Sequence, residues 1–290
     1  MNLCVLSDTF LREWQVRALE GVLSETDVEI SLVVVNYQQR EGALGDSDEV
    51  KRAIDCASNL ALSDIRLFFD VLRSKGAWAF VLAEWKIGCL IQGNDMALDK
   101  RRRIEDVELF SDVEIRRCTP ITGDSWNELP DDVVDYVADR ADVVIRFGFG
   151  LVRGRILEAP EHGVLSIHPA DVRKYRGIGY PRAFLNGEST LGVTIQQLSE
   201  TIDGGKVVAI GTTDIADAYT LDDVHTRANE LKIELLPRAI NNLHRCDFEP
   251  EVPDTLGEYM PLRNRRRLGF AGRIVLRDVI GRFRKIFVGV

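Results

Sequence analysis

The chain has 290 residues, 45% hydrophobic and 29% charged, with a formal net charge of −9. A chain of this length and balance buries a sizeable core, which excludes the disordered and fibrous classes. The charge is uneven: residues 262–290 carry nine Arg or Lys against one acid, Asp278, leaving 28 basic and 45 acidic residues on the rest, a body whose charge disfavours nucleic acid. In chain order, Leu3 to Leu6 reads as a buried strand, Trp14 to Leu23 as a helix and Ile30 to Val35 as a second strand. That strand, helix, strand unit starts a parallel sheet. Residues 46–106 read as helical, with Ile54, Ala57, Leu60, Ile65, Phe68 and Leu72 near the 3.6 period and Arg101-Arg102-Arg103 as a solvated helix end.

Val113 to Cys118 reads as the next strand, Leu129-Pro130-Asp131-Asp132 opens a helix with acids in its first turn, and Asp142 to Arg146 forms another strand. Gly163 to Ile167 follows as a strand; Gly192 to Leu198 and Lys206 to Ile210 flank the turn at Asp203, and Leu221 to Leu243 is a helix broken or kinked by Pro237. The expected fold is α/β: a Rossmann-like, mostly parallel twisted sheet flanked by helices over residues 1–246, with a helical insertion at 46–106. Residues 247–290 form a Pro-bearing linker and a basic tail whose Phe270, Ile274, Val279, Ile280, Phe283, Ile286 and Phe287 lie near one helical face. Such a tail suits an anionic membrane surface, a protein partner or docking on its own domain.

Five scattered cysteines (Cys4, Cys56, Cys89, Cys118, Cys246) form no CxxC pair and have no His at ligand spacing, so no metal and a reduced cytoplasmic setting are expected. The N-terminus reaches Asp8 too early for a signal peptide. The apolar stretch 76–91 is interrupted by Glu84 and Lys86, short of the ~18 apolar residues of a membrane span.

Chemistry concentrates between Gly163 and Asp203, where a strand ends in His168 and the later turn Ile202-Asp203-Gly204-Gly205 supplies a carboxylate. Between them stand Tyr175-Arg176-Gly177, Asn186-Gly187-Glu188 and Gly192-Val193-Thr194, in an order that resembles the formyltransferase family. The resemblance covers about Asp142 to Ile210 and implies transfer of a formyl group from 10-formyltetrahydrofolate to a primary amine. It implies His168 and Asp203 as catalytic groups, with Ser166 where the family carries Asn. A hydroxyl has one donor where an amide has two. The loop Ala170 to Lys174 keeps the family length but replaces its Ser-Leu-Leu-Pro.

By the same resemblance, Arg146, Phe147, Gly148, Phe149, Gly150 and Leu151, with Ile202 and Gly204, hold the folate, and Arg176, Gly177 and Thr194 meet the substrate. Relatives that formylate a phosphoribosyl amine carry a glycine-rich turn where this chain has Ser7-Asp8-Thr9-Phe10. Relatives acting on initiator tRNA carry a C-terminal barrel that residues 247–290 do not read as. The expected acceptor is a small-molecule amine such as an amino sugar nucleotide. A hydrolase that passes the formyl group to water, and a noncatalytic scaffold of the same fold, are the alternatives.

Overall fold

The computed structural model describes residues 1–38, 62–92 and 97–288. Strand β1 (Asn2–Ser7) leads through β2 (Phe10–Arg12) into α1 (Glu13–Glu25), and the chain returns as β3 (Glu29–Asn36). Helices α2 (Leu62–Lys75) and α3 (Trp78–Gln92) follow, then β4 (Arg101–Arg103) and β5 (Glu114–Cys118). The hairpin of β6 (Ile121–Gly123) and β7 (Trp126–Glu128) precedes α4 (Asp131–Ala138), β8 (Val143–Arg146), β9 (Leu151–Val152) and β10 (Val164–His168). The rest comprises β11 (Tyr175–Gly177), α5 (Tyr180–Asn186), β12 (Thr190–Gln197), β13 (Lys206–Asp214), α6 (Leu221–His244), β14 (Glu258–Met260) and α7 (Leu268–Val288).

The main sheet runs in the order β13-β12-β10-β8-β1-β3-β5. Strands β10, β8, β1, β3 and β5 are parallel, and β12 and β13 add an antiparallel hairpin at one edge. This is the expected Rossmann-like arrangement, and its strands are nearly continuous apolar runs because helices cover both faces. On one face Leu3, Val5, Val33, Val143, Ile145, Leu165 and Ile195 pack against α1 and α6. On the other, Cys4, Leu6, Val34, Val144 and Val164 meet Val133, Val134 and Val137 of α4. A third core joins α3, α5, α6 and α7 through Trp78, Phe184, Leu221, Ala271 and Ile274.

Three expectations change. Arg101 to Arg103 end no helix: they form β4, antiparallel to Phe10–Arg12, because Arg102 pairs with Glu13 at 2.7 Å and edge pairing satisfies the backbone. The helical reading of 46–106 lies outside the described residues at 46–61 and 93–96; α2 and α3 carry it over Leu62–Lys75 and Trp78–Gln92, while 97–106 hold β4 between two short 3-10 turns instead. Pro237 does not break α6, which runs from Leu221 to His244. Its ring sits against Gly21 of α1, where a Cβ would lie 3.0 Å from the proline Cγ, so interhelix packing offsets the missing backbone donor.

The tail folds back as well. Helix α7 buries Ala271, Ile274 and Asp278 and leaves Leu276, Val279, Ile280, Phe283 and Phe287 exposed, so the apolar residues read onto one face divide between two. Arg282 of α7 pairs with Glu84 of α3 at 2.5 Å, and Lys285 with Asp223 of α6 at 2.5 Å. No helix among the described residues is long and apolar enough to cross a membrane.

Candidate active site

From β1 the chain adds β3 and β5 on one side of the sheet, then crosses back to place β8 and β10 on the other. The crevice beyond the carboxyl ends of β1 and β8 is therefore the switch point at which open α/β sheets take ligands. Arg146 ends β8 there. Register aligns Arg146 with Ser166 of β10, and Ser166 with Gln196 of β12; two residues on, His168 stands opposite Thr194. Side chains alternate along a strand, so Arg146, Ser166, Gln196, His168 and Thr194 share one face and continue the apolar row Val144 and Val164 as a polar one.

His168 is 4% exposed and both its ring nitrogens face acceptors. Nε2 donates to the Tyr175 carbonyl at 2.8 Å, and Nδ1 lies 3.3 Å from Asp203 Oδ1. Asp203 holds a left-handed conformation at φ 49°, a short polar residue's privilege in a tight turn. Its Oδ2 accepts the Gly177 N–H at 2.8 Å, and its Oδ1 accepts from Gln196 Nε2 at 3.4 Å. Gln196 in turn accepts the Gly205 N–H at 3.1 Å, pinning the turn to β12. Burial pushes the Asp203 carboxyl up, but the His168 hydrogen bond and charge, the Gly177 N–H and the Arg146 cation outweigh it and hold it below the ordinary carboxylate range.

The Arg146 guanidinium donates to Ser166 Oγ at 2.6 Å and to the Gly150 carbonyl, while its Nε is buried with no partner. Burial pulls its pKa down, and the carboxylates of Asp203 and Asp8 oppose that. The adjoining turn is tightly built: Phe147 and Gly148 donate to the Leu6 carbonyl at 2.8 and 3.0 Å, and the Phe149 N–H meets Asp8 Oδ1 at 3.2 Å. The Phe149 carbonyl accepts from Asn127 Nδ2 at 2.5 Å. Gly148 is required because a Cβ would run into the backbone of Ser7 and Asp8. Phe149 is fully buried and Gly150 and Leu151 lie at the rim, so the backbone edges expected to meet a ligand from Phe147 to Phe149 are bonded within the protein.

The remaining motif residues are brought together as supports. Thr194 donates its hydroxyl to the Ala170 carbonyl at 2.9 Å and accepts the Val172 N–H at 3.3 Å, which fixes the loop after His168. Ala170 and Val172 are fully buried there, and Gly192 leaves room for Asp171, whose Cβ would lie 2.8 Å from an added one. Tyr175 donates its hydroxyl to Glu188 at 2.6 Å and accepts from Asn186 at 2.8 Å. Arg176 donates to the Ile202 carbonyl at 3.2 Å and to the Gly257 carbonyl at 2.9 Å, joining β11, the Asp203 turn and the strand-forming arm β14. Gly204 lets that turn close beside Thr201, where a Cβ would sit 2.5 Å from the Thr201 methyl.

Sequence reasoning missed Gln196, Asn127, Asp8 and the arm around Gly257. Gln196 lies two residues beyond Thr194, on the same strand face, so only the pairing register reveals it. No local pattern marks the others.

Comparison with known proteins finds formyltransferases. Residues 101–240 match the family described as Formyl transferase. A methionyl-tRNA formyltransferase of Rickettsia bellii is 28% identical over 145 residues, 50% of this chain and 47% of that protein, so the chain spans about half the length of that curated relative. Among solved structures, a sugar N-formyltransferase from Shewanella sp FDAARGOS_354 superposes with a TM-score of 0.53 at 10% identity, covering 96% of this chain and 87% of that one. An N-formyltransferase from Helicobacter canadensis, solved with folinic acid and dTDP-3-aminofucose, gives 0.50 at 13% identity over 96% and 80%. At these identities the structural likeness shows the fold. Arg146, Ser166, His168 and Asp203 all lie within the stretch that matches the formyl transferase family.

Proposed function

We propose that this protein transfers a formyl group from 10-formyltetrahydrofolate to the primary amine of a small molecule, with amino sugar nucleotides the first class to test. The observation that carries the reading is the His168–Asp203 contact of 3.3 Å at the sheet's switch point, inside the segment that matches the family. The orphaned Arg146 Nε is the feature that fits a carbonyl-bearing ligand, since a buried donor without an acceptor costs about 1–3 kcal/mol. Gly150 and Leu151 at the rim and the turn Ile202-Asp203-Gly204 then border the folate.

The folate supplies the formyl carbon and, at N10, the leaving group. Asp203, ionised at neutral pH, accepts the proton that the attacking amine loses as its nitrogen bonds to the formyl carbon. That proton goes to N10, which leaves with the electron pair of the broken C–N bond, so no atom is left over. His168, anchored by the Tyr175 carbonyl, holds Asp203 in line. Gly177 and Gln196 fix the carboxylate so that it needs no reorganisation. The acceptor class is supported by Gly187-Glu188 followed by Gly192-Val193-Thr194, by the absence of a glycine-rich turn at Ser7 to Phe10, and by the names of the two solved neighbours.

The test is calorimetric titration of folinic acid, followed by a transfer assay with 10-formyltetrahydrofolate as donor and dTDP-3-aminofucose and related amines as acceptors that reads tetrahydrofolate release. Binding plus amine-dependent release is the expected result. A folded protein that takes up no folinic acid at millimolar concentration overturns the reading, and release of formate without any amine replaces it with the hydrolase.

A further inference from the structure

Along the polar row, most donors are already committed. His168 gives Nε2–H to Tyr175 and turns Nδ1 to Asp203; Gln196 is bonded at both ends of its amide; Thr194 holds the loop at Ala170. The Gly177 N–H belongs to Asp203. Among the described residues of the row, Arg146 keeps the most spare donors: the buried Nε–H has no partner, and each terminal nitrogen carries a second hydrogen beyond those given to Gly150 and Ser166. Ser166 accepts from Arg146, so its single hydroxyl hydrogen is directed away from the guanidinium.

We propose that Arg146, with Ser166 oriented by it, is the oxyanion donor of the transfer step, a role that rests on the formyl-transfer reading. Negative charge collects on the formyl oxygen when the amine nitrogen bonds to carbon and the carbonyl π pair moves onto oxygen. The pair returns as the C–N10 bond breaks. A fixed guanidinium at that point is preorganised, and it stays ionised because an arginine does not release its proton in proteins. The Asp203 carboxylate, in the turn after β12, is near enough to act on Arg146 electrostatically, so the site holds a proton acceptor and an anion stabiliser together. The cation replaces the second donor that a serine lacks relative to an amide. It makes the Ser166 substitution compatible with turnover.

Two readouts test this, one of them independent of turnover. In the transfer assay, Arg146→Ala is expected to lower kcat by ~10²–10³ with the KM for the folate changed less than about threefold. Methylguanidinium is expected to restore at least about tenfold of that loss, and Ser166→Ala to add little once Arg146 is gone. The second readout is the infrared stretch of the formyl carbonyl of carbon-13-labelled 10-formyl-5,8-dideazafolate, a stable analogue that carries its formyl group on N10. Binding to the wild type shifts it to lower frequency, and binding to Arg146→Gln leaves it near its solution position. An Arg146→Ala variant that is folded, binds folinic acid and keeps kcat within threefold overturns the proposal; so does an unchanged carbonyl band between wild type and Arg146→Gln. A wild type that shows the band shift but no transfer defeats the formyl-transfer reading while confirming Arg146 as the group that polarises the carbonyl.

Discussion

Two regions of this molecule build one site in opposite ways. The strands from Val143 to Gln197 bring Arg146, Ser166, His168 and Gln196 together by register alone, each side chain placed by its position on a pleated strand. The arm from Gly257 to Val288 brings no reacting group, yet it braces the site from outside the sheet. Gly257 donates its N–H to the Val172 carbonyl at 2.9 Å, Ile178 donates to the Met260 carbonyl at 3.1 Å, and β14 pairs in parallel with Tyr175–Gly177. Helix α7 then closes the third core through Ala271 and Ile274. The contrast separates function carried by chemistry from function carried by support, and substitutions in each region should fail differently.

The largest effect is expected in the strands. Replacing His168 by Ala or Asp203 by Asn should cost ~10²–10⁴ in kcat, and the proteins should stay folded by circular dichroism, because general acid–base groups contribute about that much. Equal losses of melting temperature and rate would instead make these residues structural. In the arm the signature reverses: Ile274→Ala should lower unfolding free energy by about 2–5 kcal/mol while kcat of the remaining folded protein holds at low temperature.

Between the two lies Gly177, at φ 84°, where an added Cβ would run into the Met260 carbonyl. Gly177→Ala should cost about 1–3 kcal/mol in urea unfolding and also slow transfer, since its N–H positions Asp203. A stable variant with full activity would show that the arm does not brace the site.

Asp278 sharpens the comparison through pH. Burial pushes its carboxyl from the ordinary 3.8 up to about 8, against the Leu221 N–H that donates to it at 2.7 Å, with Glu84 adding to the rise. A folded-state value above the unfolded one means that the native protein keeps a proton that the unfolded chain has released. Stability should therefore fall as pH rises from about 4 to about 8. Asp278→Asn should remove on the order of 1–3 kcal/mol of that slope, measured by urea midpoints at pH 5 and 8, without changing transfer at pH 7. The smallest effect is expected at Arg155, whose bonds to Asp131 and Asp135, 2.7 Å each, are solvent-exposed; Arg155→Ala should shift stability by less than about 1 kcal/mol.

Much of the site could be read from the residues themselves. A strand ending in His168, an Asp-Gly-Gly turn and the Tyr-Arg-Gly and Gly-Val-Thr motifs are local patterns, and apolar runs of strand length announced the parallel sheet. The roles within the motifs could not be read that way. Thr194 supports the loop at Ala170, Tyr175 is tied to Glu188 and Asn186, and Arg176 reaches the Ile202 and Gly257 carbonyls. Such partners lie from 11 to 81 residues away along the chain, and only close packing selects them.

By itself the sequence determined the α/β class and the succession of strands along the chain, because hydrophobic periodicity and turn chemistry act over a few residues; the family resemblance names His168 and Asp203 together. Tertiary structure decided that Arg101 to Arg103 form a strand, that Pro237 stays within a helix and that Arg146 joins Ser166. It also decided that the basic tail is part of the folded body, with α7 on α3 and α6. Those outcomes depend on backbone pairing, steric fit and buried charge between segments far apart in the chain, which no local pattern encodes.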